Sequence, residues 1–172
     1  VLGAFDYLLQ VDFSAGWVAS ATGDFNGDKK SDVLLYNTTT GEYRVIVVDG
    51  TNVISDNIVA ALDPSFNLSP FRMGDFDGDG RAEIMVHDPA SGYTALLAFN
   101  SSGNFTSFDP VTLVDTAGNW TLHDTGDFNG DHKLDLLLYN TVSGQSAIIE
   151  MNGSSAGPVT PIFTFAPATG WT

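Results

Sequence analysis

Short apolar runs recur along the chain, each closed by a cluster of small and polar residues. VLLY (33–36), YRVIVV (43–48), YTALLAF (93–99) and SAIIEM (146–151) are bounded by Gly, Asn, Asp or Pro. Runs of this length, rich in Val, Ile, Leu and Tyr, predict β-strands. No stretch holds a helical period over ten or more residues. Several runs are continuously apolar where a strand with one wet face would alternate, so both faces of the predicted sheets are covered.

The pattern repeats. GDFNGDKKSDVLLYN begins at residue 23, GDFDGDGRAEIMVHD at 74 and GDFNGDHKLDLLLYN at 126, 51 and 52 residues apart. An aromatic precedes each copy (Trp17, Phe71, Trp120), and Trp171 is next in series. After each copy come a small-polar turn (TTTG, PASG, TVSG), a second apolar run, a second turn (DGTN, NSSGN, NGSS) and a weaker extended run (NIVAAL, DPVTLV, TPIFTF). Each unit therefore reads strand, acidic loop, strand, turn, strand, turn, strand. Four short strands per unit, covered on both faces and repeated, predict an all-β fold of propeller blades, each a four-stranded antiparallel sheet. A sandwich fits less well, because it calls for alternation with one wet face.

The predicted organisation is a closing strand of a preceding blade over 1–16, blades over 17–66, 67–117 and 118–168, and the start of a further unit at 169–172. Propellers typically have 4–8 blades, so three cannot close a ring. Closure is expected from further repeats or from homo-oligomerisation, two copies giving six blades; an unclosed head-to-tail contact would give a filament.

Composition narrows the function. Hydrophobic content of 43% describes a chain that buries a core. The net charge of −15, from 21 acids against 6 bases, argues against nucleic acid and anionic membrane surfaces as partners. Absence of Cys removes disulfides and thiolate metal sites. No apolar stretch is long enough to span a bilayer, so no membrane insertion is expected.

The acids are concentrated. Counting from Asp24, positions 1, 3, 5 and 9 of the first loop are Asp24, Asn26, Asp28 and Asp32. The second loop has Asp75, Asp77, Asp79 and Glu83; the third has Asp127, Asn129, Asp131 and Asp135. Ten of the 21 acids lie at these positions. Side-chain oxygens on alternate residues of a tight loop converge on one point, which suits a hard cation taking 6–8 oxygen ligands. Position 7 (Lys30, Arg81, Lys133) would add its backbone carbonyl, its cationic side chain turning to solvent or a neighbouring acid. Gly27, Gly78 and Gly130 at position 4 permit a bend that a Cβ resists. Ca²⁺ fits this donor set, one ion per repeat, and three ions would move the formal charge from −15 to −9. Mg²⁺ prefers octahedral sites with retained waters, and zinc wants His or Cys, neither of which stands at a ligand position. An EF-hand is excluded: position 12 is Leu35, Val86 or Leu138 where that motif needs Glu, and these loops run into strands.

These loops, with a Phe at position 2 of each (Phe25, Phe76, Phe128), resemble FG-GAP/VCBS repeats, the blade unit of integrin-α-like propellers and of many extracellular proteins. The resemblance covers residues 17–170. It implies that each loop joins the first two strands of a blade and binds Ca²⁺ through the positions named above. Two departures stand out: position 6, usually Gly, keeps it only at Gly80, so Lys29 and His132 must tolerate the turn; and Glu83 replaces the usual final Asp, its longer arm altering that site's geometry. The metal is expected to be structural, because a loop saturated by its own side chains offers few open positions to a substrate, whereas a catalytic metal keeps one.

No catalysis is expected. His87, His123 and His132 have no equivalent His across the repeats, and no Ser–His–Asp set or nucleophile elbow is present. His87 replaces Tyr36 and Tyr139 as a half-buried strand residue, and His132 points to solvent. The resemblance extends to propeller lectins, which hold sugars between blades. It implies a secreted, lectin-like or adhesive module whose partner is a glycan or an extracellular protein. The tryptophans serve either as stacking platforms or as the wedge between blades. The alternative function is structural: an assembly or spacer unit, or the accessory propeller of a polysaccharide-active enzyme.

Overall fold

The computed structural model describes residue 11 and residues 13–164. The closing strand expected over 1–16 lies mostly outside these, as do the unit expected at 169–172 and Trp171. A short 3₁₀ turn, Phe13–Ala15, leads into the first sheet.

Twelve strands form three antiparallel sheets, each with its strands adjacent in chain order. The first sheet holds β1 (Trp17–Gly23), β2 (Asp32–Asn37), β3 (Glu42–Asp49) and β4 (Asn52–Ala61). The second holds β5 (Ser69–Gly74), β6 (Glu83–His87), β7 (Tyr93–Phe99) and β8 (Phe105–Leu113). The third holds β9 (Trp120–Gly126), β10 (Asp135–Asn140), β11 (Gln145–Asn152) and β12 (Ser155–Thr164). These are propeller blades. Among the described residues, no helix is long and apolar enough to cross a membrane.

The core lies between the sheets. Leu34, Tyr43 and Val45 of the first sheet pack with Ile84, Val86 and Leu97 of the second. Met85 and Leu96, from the second sheet's other face, pack with Leu136, Leu138 and Ile149 of the third. The middle sheet is thus covered on both sides, and every residue of β6 is buried. That is the physical reason for the continuously apolar runs: neither face of a central strand meets water.

Two features depart from the sequence reading. The outer strands β4, β8 and β12 are longer than the weak apolar runs that announced them, because each leaves its turn directly into pairing. Their exposed positions mix polar residues with apolar ones such as Ile54, Leu113 and Ile162, so no clean pattern marks them, and β12 is exposed throughout. Pro110, Pro158 and Pro161 sit in these strands, where an edge tolerates a missing donor. The second correction concerns Phe71. Pairing registers skip one residue on each innermost strand: Ser20, Phe71 and His123. Phe71 is therefore a bulge residue, and the position equivalent to Trp17 and Trp120 in the second blade is Leu68.

Blades are also linked through their acidic loops. The Ala82 N–H donates to the Asp24 carbonyl at 2.6 Å, and the Leu134 N–H donates to the Asp75 carbonyl at 2.8 Å. Position 8 of each loop thus hooks position 1 of the loop before it. The β11–β12 turn adds a third link, Gly153 N–H to the Phe76 carbonyl at 2.9 Å.

Candidate metal centre

Each acidic loop joins the first two strands of its blade and is folded by its own carboxylates. Asp24 accepts from the N–H groups of Gly27 (2.7 Å), Asp28 (3.1 Å) and Lys29 (2.7 Å). Asp127 repeats this with Gly130, Asp131 and His132 at 2.6, 3.1 and 2.9 Å. Asp75 accepts from Gly78 at 2.5 Å and Gly80 at 2.8 Å. Position 3 accepts from the N–H of position 5, and position 5 from that of position 7, in all three loops. Such side-chain-to-backbone turns wrap the chain around the acids. Position 4 has φ of 81–84° in each copy, which glycine adopts without steric cost. At position 6, Lys29 (φ 66°) and His132 (φ 69°) take the same left-handed turn as Gly80. The His132 side chain is 95% exposed.

Position 9 is different in kind. Asp32, Glu83 and Asp135 are buried at the start of the second strand of each blade. Asp32 accepts from Phe25 N–H and Val48 N–H, each at 3.0 Å, using both oxygens. Asp135 does the same with Phe128 at 3.0 Å and Met151 at 2.9 Å. Glu83 accepts from Phe76 N–H at 2.8 Å. Burial, together with Asp77, Asp79 and Asp75, pushes the Glu83 carboxyl up to about 8, although the Phe76 N–H opposes the shift. Burial also raises Asp32, against the pull of the Val48 and Phe25 N–H donors. Asp127 goes the other way. Its partial burial is outweighed by the His132, Gly130 and Asp131 N–H groups, and its carboxyl is lowered.

The three loops differ in which acids they gather. Asp75, Asp77 and Glu83 each offer an oxygen within 4.8 Å of the other two, a group able to hold a metal ion. No comparable trio of acids gathers in the other two loops among the described residues. Position 3 there is Asn26 or Asn129, an amide in place of a carboxylate. Asp79, the fourth acid of the second loop, is engaged by the Arg81 guanidinium, whose Nε also donates to the Phe99 carbonyl at 3.0 Å. The other position-7 cations turn to neighbours as well: Lys30 to Asp49 at 2.8 Å and Lys133 to Asn152 at 2.6 Å. All donors are oxygen and most are charged, the chemistry a hard divalent cation selects.

A second feature was not found by sequence reasoning. Between the second and third sheets lies a cavity of about 200 Å³, lined by Ser69, Phe71, His87, Thr116, Trp120 and Thr121 among others. Its origin is a loss of bulk between repeats. At the first interface the Tyr36 and Tyr43 rings meet at a tilt of 46° with centroids 4.9 Å apart, and the Tyr36 hydroxyl donates to the Leu68 carbonyl at 3.4 Å. The corresponding residues of the second blade are His87 and Thr94, which contact each other at 3.3 Å and leave the space open. Burial lowers the His87 pKa. The signal was present in the replacement of two tyrosines, but only the structure shows that both face the same interface. Trp17 and Trp120 are partly buried against the core clusters, and Trp120 also faces the cavity.

Fold and loops together define a run of β-propeller blades with an acidic loop in each. A model of the FG-GAP-like repeat matches residues 24–86 and again 75–138, more than half of the chain, and the chain belongs to that repeat family. The family is generally a non-catalytic repeat module. No curated protein matches the chain.

Proposed function

We propose that this chain is a non-catalytic extracellular propeller module, held together by Ca²⁺ in its acidic loops and binding a carbohydrate between blades. The observation that carries the calcium reading is the threefold loop, its carboxylates turned inward by the same backbone hydrogen bonds. Asp24, Asn26, Asp28 and Asp32, with the Lys30 carbonyl, would hold the first ion. The counterparts in the other loops, with the Arg81 and Lys133 carbonyls, would hold the second and third. The metal would neutralise acids that repel one another and fix the first hairpin of each blade. Extracellular calcium modules bind at about 10⁻⁴–10⁻³ M, and at ten times Kd each ion adds roughly 1.4 kcal/mol.

The cavity supports the carbohydrate reading. Phe71 and Trp120 supply apolar ring surface, and Ser69, Thr116, Thr121 and His87 supply polar groups around it. This is the mixture that fixes a ligand with one apolar face and several hydroxyls. A glycan array probed in calcium and in EDTA tests it, with His87→Tyr as control. Binding that needs calcium and disappears in the variant supports the reading; binding to no glycan overturns it.

An assembly role is favoured by one further observation. Phe25 and Phe76 are 0% exposed beneath the following blade, whereas the equivalent Phe128 is 46% exposed. The third blade thus presents a docking half that another blade, from further repeats or a second copy, would cover.

A further inference from the structure

Granting that the cavity between the second and third sheets holds a carbohydrate, we infer which atom selects it: His87 Nε2 accepts a hydrogen bond from a hydroxyl of a neutral sugar. The assignment follows from where one hydroxyl proton goes. Thr94 is fully buried, and its Oγ1 lies 3.3 Å from the Gly92 carbonyl and 3.3 Å from His87 Nδ1. A carbonyl only accepts, so the Thr94 proton goes to Gly92, and Oγ1 meets the ring with a lone pair. Both contacts are hydrogen bonds only when Nδ1 carries the imidazole proton. In a neutral ring that leaves Nε2 bare, as an acceptor. No described residue donates to it. The Tyr43 hydroxyl is the one buried side-chain atom without a partner among the described residues, so Nε2 has an open approach, and His87 lines the cavity.

His87 is only 7% exposed, so an unfilled acceptor there is largely withheld from bulk water and gains from a donated hydrogen bond. Its ring stands edge-on to Phe71, centroids 5.8 Å apart, and this contact with the Thr94 bond holds it in place. The rest of the lining agrees. Thr116 and Thr121 donate their hydroxyl protons to the Ala90 and Tyr139 carbonyls, at 3.4 and 3.2 Å, and so offer lone pairs as well. None of the described residues lining the cavity is an acid, Lys or Arg. A sugar carboxylate would therefore lie buried against acceptors without a counter-charge, whereas a neutral sugar brings donors and an apolar ring face. The ionisable groups on the surrounding elements are otherwise engaged. Asp88 is held by Asn67, Ala90 and Ser91. Arg72 lies over the Phe71 ring and pairs with Asp124, and His123 meets Tyr139. Burial outweighs the Tyr93 carbonyl and the Asp88 charge and lowers the His87 pKa, which keeps the ring neutral at pH 7.

The test reads the ring first and then its ligand. Long-range proton–nitrogen NMR of the full chain in calcium, without sugar, should show His87 as the Nδ1–H tautomer, its signal identified by loss in His87→Phe. Thr94→Val should mix the two tautomers. Calorimetry with glucose, galactose, glucuronic acid and galacturonic acid then tests selection. A neutral hexose should bind, its uronic acid at least about tenfold more weakly, and His87→Phe should lose about tenfold in affinity for the hexose. Affinity should fall as pH drops through the His87 pKa. His87→Gln, whose amide oxygen accepts at any pH, should bind the hexose without that dependence. An Nε2–H tautomer would overturn the inference whether or not a sugar binds. So would a uronic acid bound as tightly as its hexose, a hexose bound equally by His87→Phe, or a pH dependence that His87→Gln shares. The Nδ1–H tautomer with none of the four sugars bound would support the acceptor and overturn the carbohydrate reading instead.

Discussion

Single groups are placed here in ways that make opposite demands on the fold. The Tyr43 hydroxyl is buried without a hydrogen-bond partner. Its ring fills the first interface against Tyr36, so the ring stabilises while the oxygen costs desolvation. Tyr43→Phe is therefore expected to raise stability by about 1 kcal/mol, read as a shift in the urea midpoint at constant slope. Glu83 makes the opposite kind of demand, and pH exposes it. Its carboxyl stands near 8 in the folded chain against 4.5 for the free group, because burial and three neighbouring acids disfavour the charge. A group whose folded pKa is raised contributes stability that is complete below its unfolded pKa and lost as pH rises through the folded one. In EDTA the melting temperature should then fall as pH climbs from about 5 to 8.5. Asp32, raised in the same direction, adds to the trend. Saturating calcium should flatten it, since a bound cation favours the charged form. Glu83→Gln should flatten it in EDTA as well. A melting temperature that rises with pH in EDTA would contradict the placement of these carboxylates.

Within each blade, turns are held by residues whose replacements reveal their roles. Asn37 and Asn140 each accept two N–H groups in the β2–β3 and β10–β11 turns. Each also donates its amide to a backbone carbonyl before the blade, Ala15 or Gly118. In the second blade the residue is Asp88, which cannot donate, and Asn67 supplies the amide N–H instead at 2.8 Å. The same junction survives with donor and acceptor exchanged. Gly92, in that turn, has φ +78° and receives the Val114 N–H on its carbonyl; a Cβ there would lie 2.0 Å from the Val114 oxygen. Gly50, with φ +61°, has nothing within 4 Å of the same position. Gly50→Ala should cost about 1 kcal/mol from backbone strain alone, and Gly92→Ala about 3 kcal/mol or more. Chemical denaturation of the two variants separates strain from collision. At this scale the sequence was legible wherever burial was two-sided, since β2, β6 and β10 stand out as continuous apolar runs. It was weak for the outer strands, whose wet faces carry Asp56, Asn57 or Pro158 as readily as Val. It misplaced Phe71 because aromatic character was followed over spacing: Trp17 and Trp120 stand seven residues before Asp24 and Asp127, and the residue seven before Asp75 is Leu68. The loops were legible as clusters of acids before the second strand of each blade, and the structure brings Asp75, Asp77 and Glu83 of the second loop within reach of one another.

Across the whole molecule, stability is distributed over interfaces between sheets, and each phenylalanine at loop position 2 reports on one of them. Phe25 meets Phe99 of the next blade edge-on at 5.4 Å, and Phe76 lies in the core between the second and third blades. Phe128 occupies the same place in its loop, accompanied by Gly130 with open space above it. In a repeat architecture stability is approximately a sum of unit and nearest-neighbour contributions, so identical residues differ in worth according to whether a neighbour is present. Phe76→Ala should cost about 3–5 kcal/mol, the usual penalty for emptying a buried aromatic site. Phe128→Ala should cost under about 1 kcal/mol in the dilute chain, because nearly half of the residue already meets water. The contrast extends to association. If this face docks another blade, light scattering at rising concentration should show growth in mass for the wild type and its loss in Phe128→Ala. Equal destabilisation by the two variants would mean that Phe128 is already covered in solution. A mass independent of concentration, with the energetic contrast intact, would restrict the third blade to a solvated end whose aromatic side chain contributes nothing to assembly.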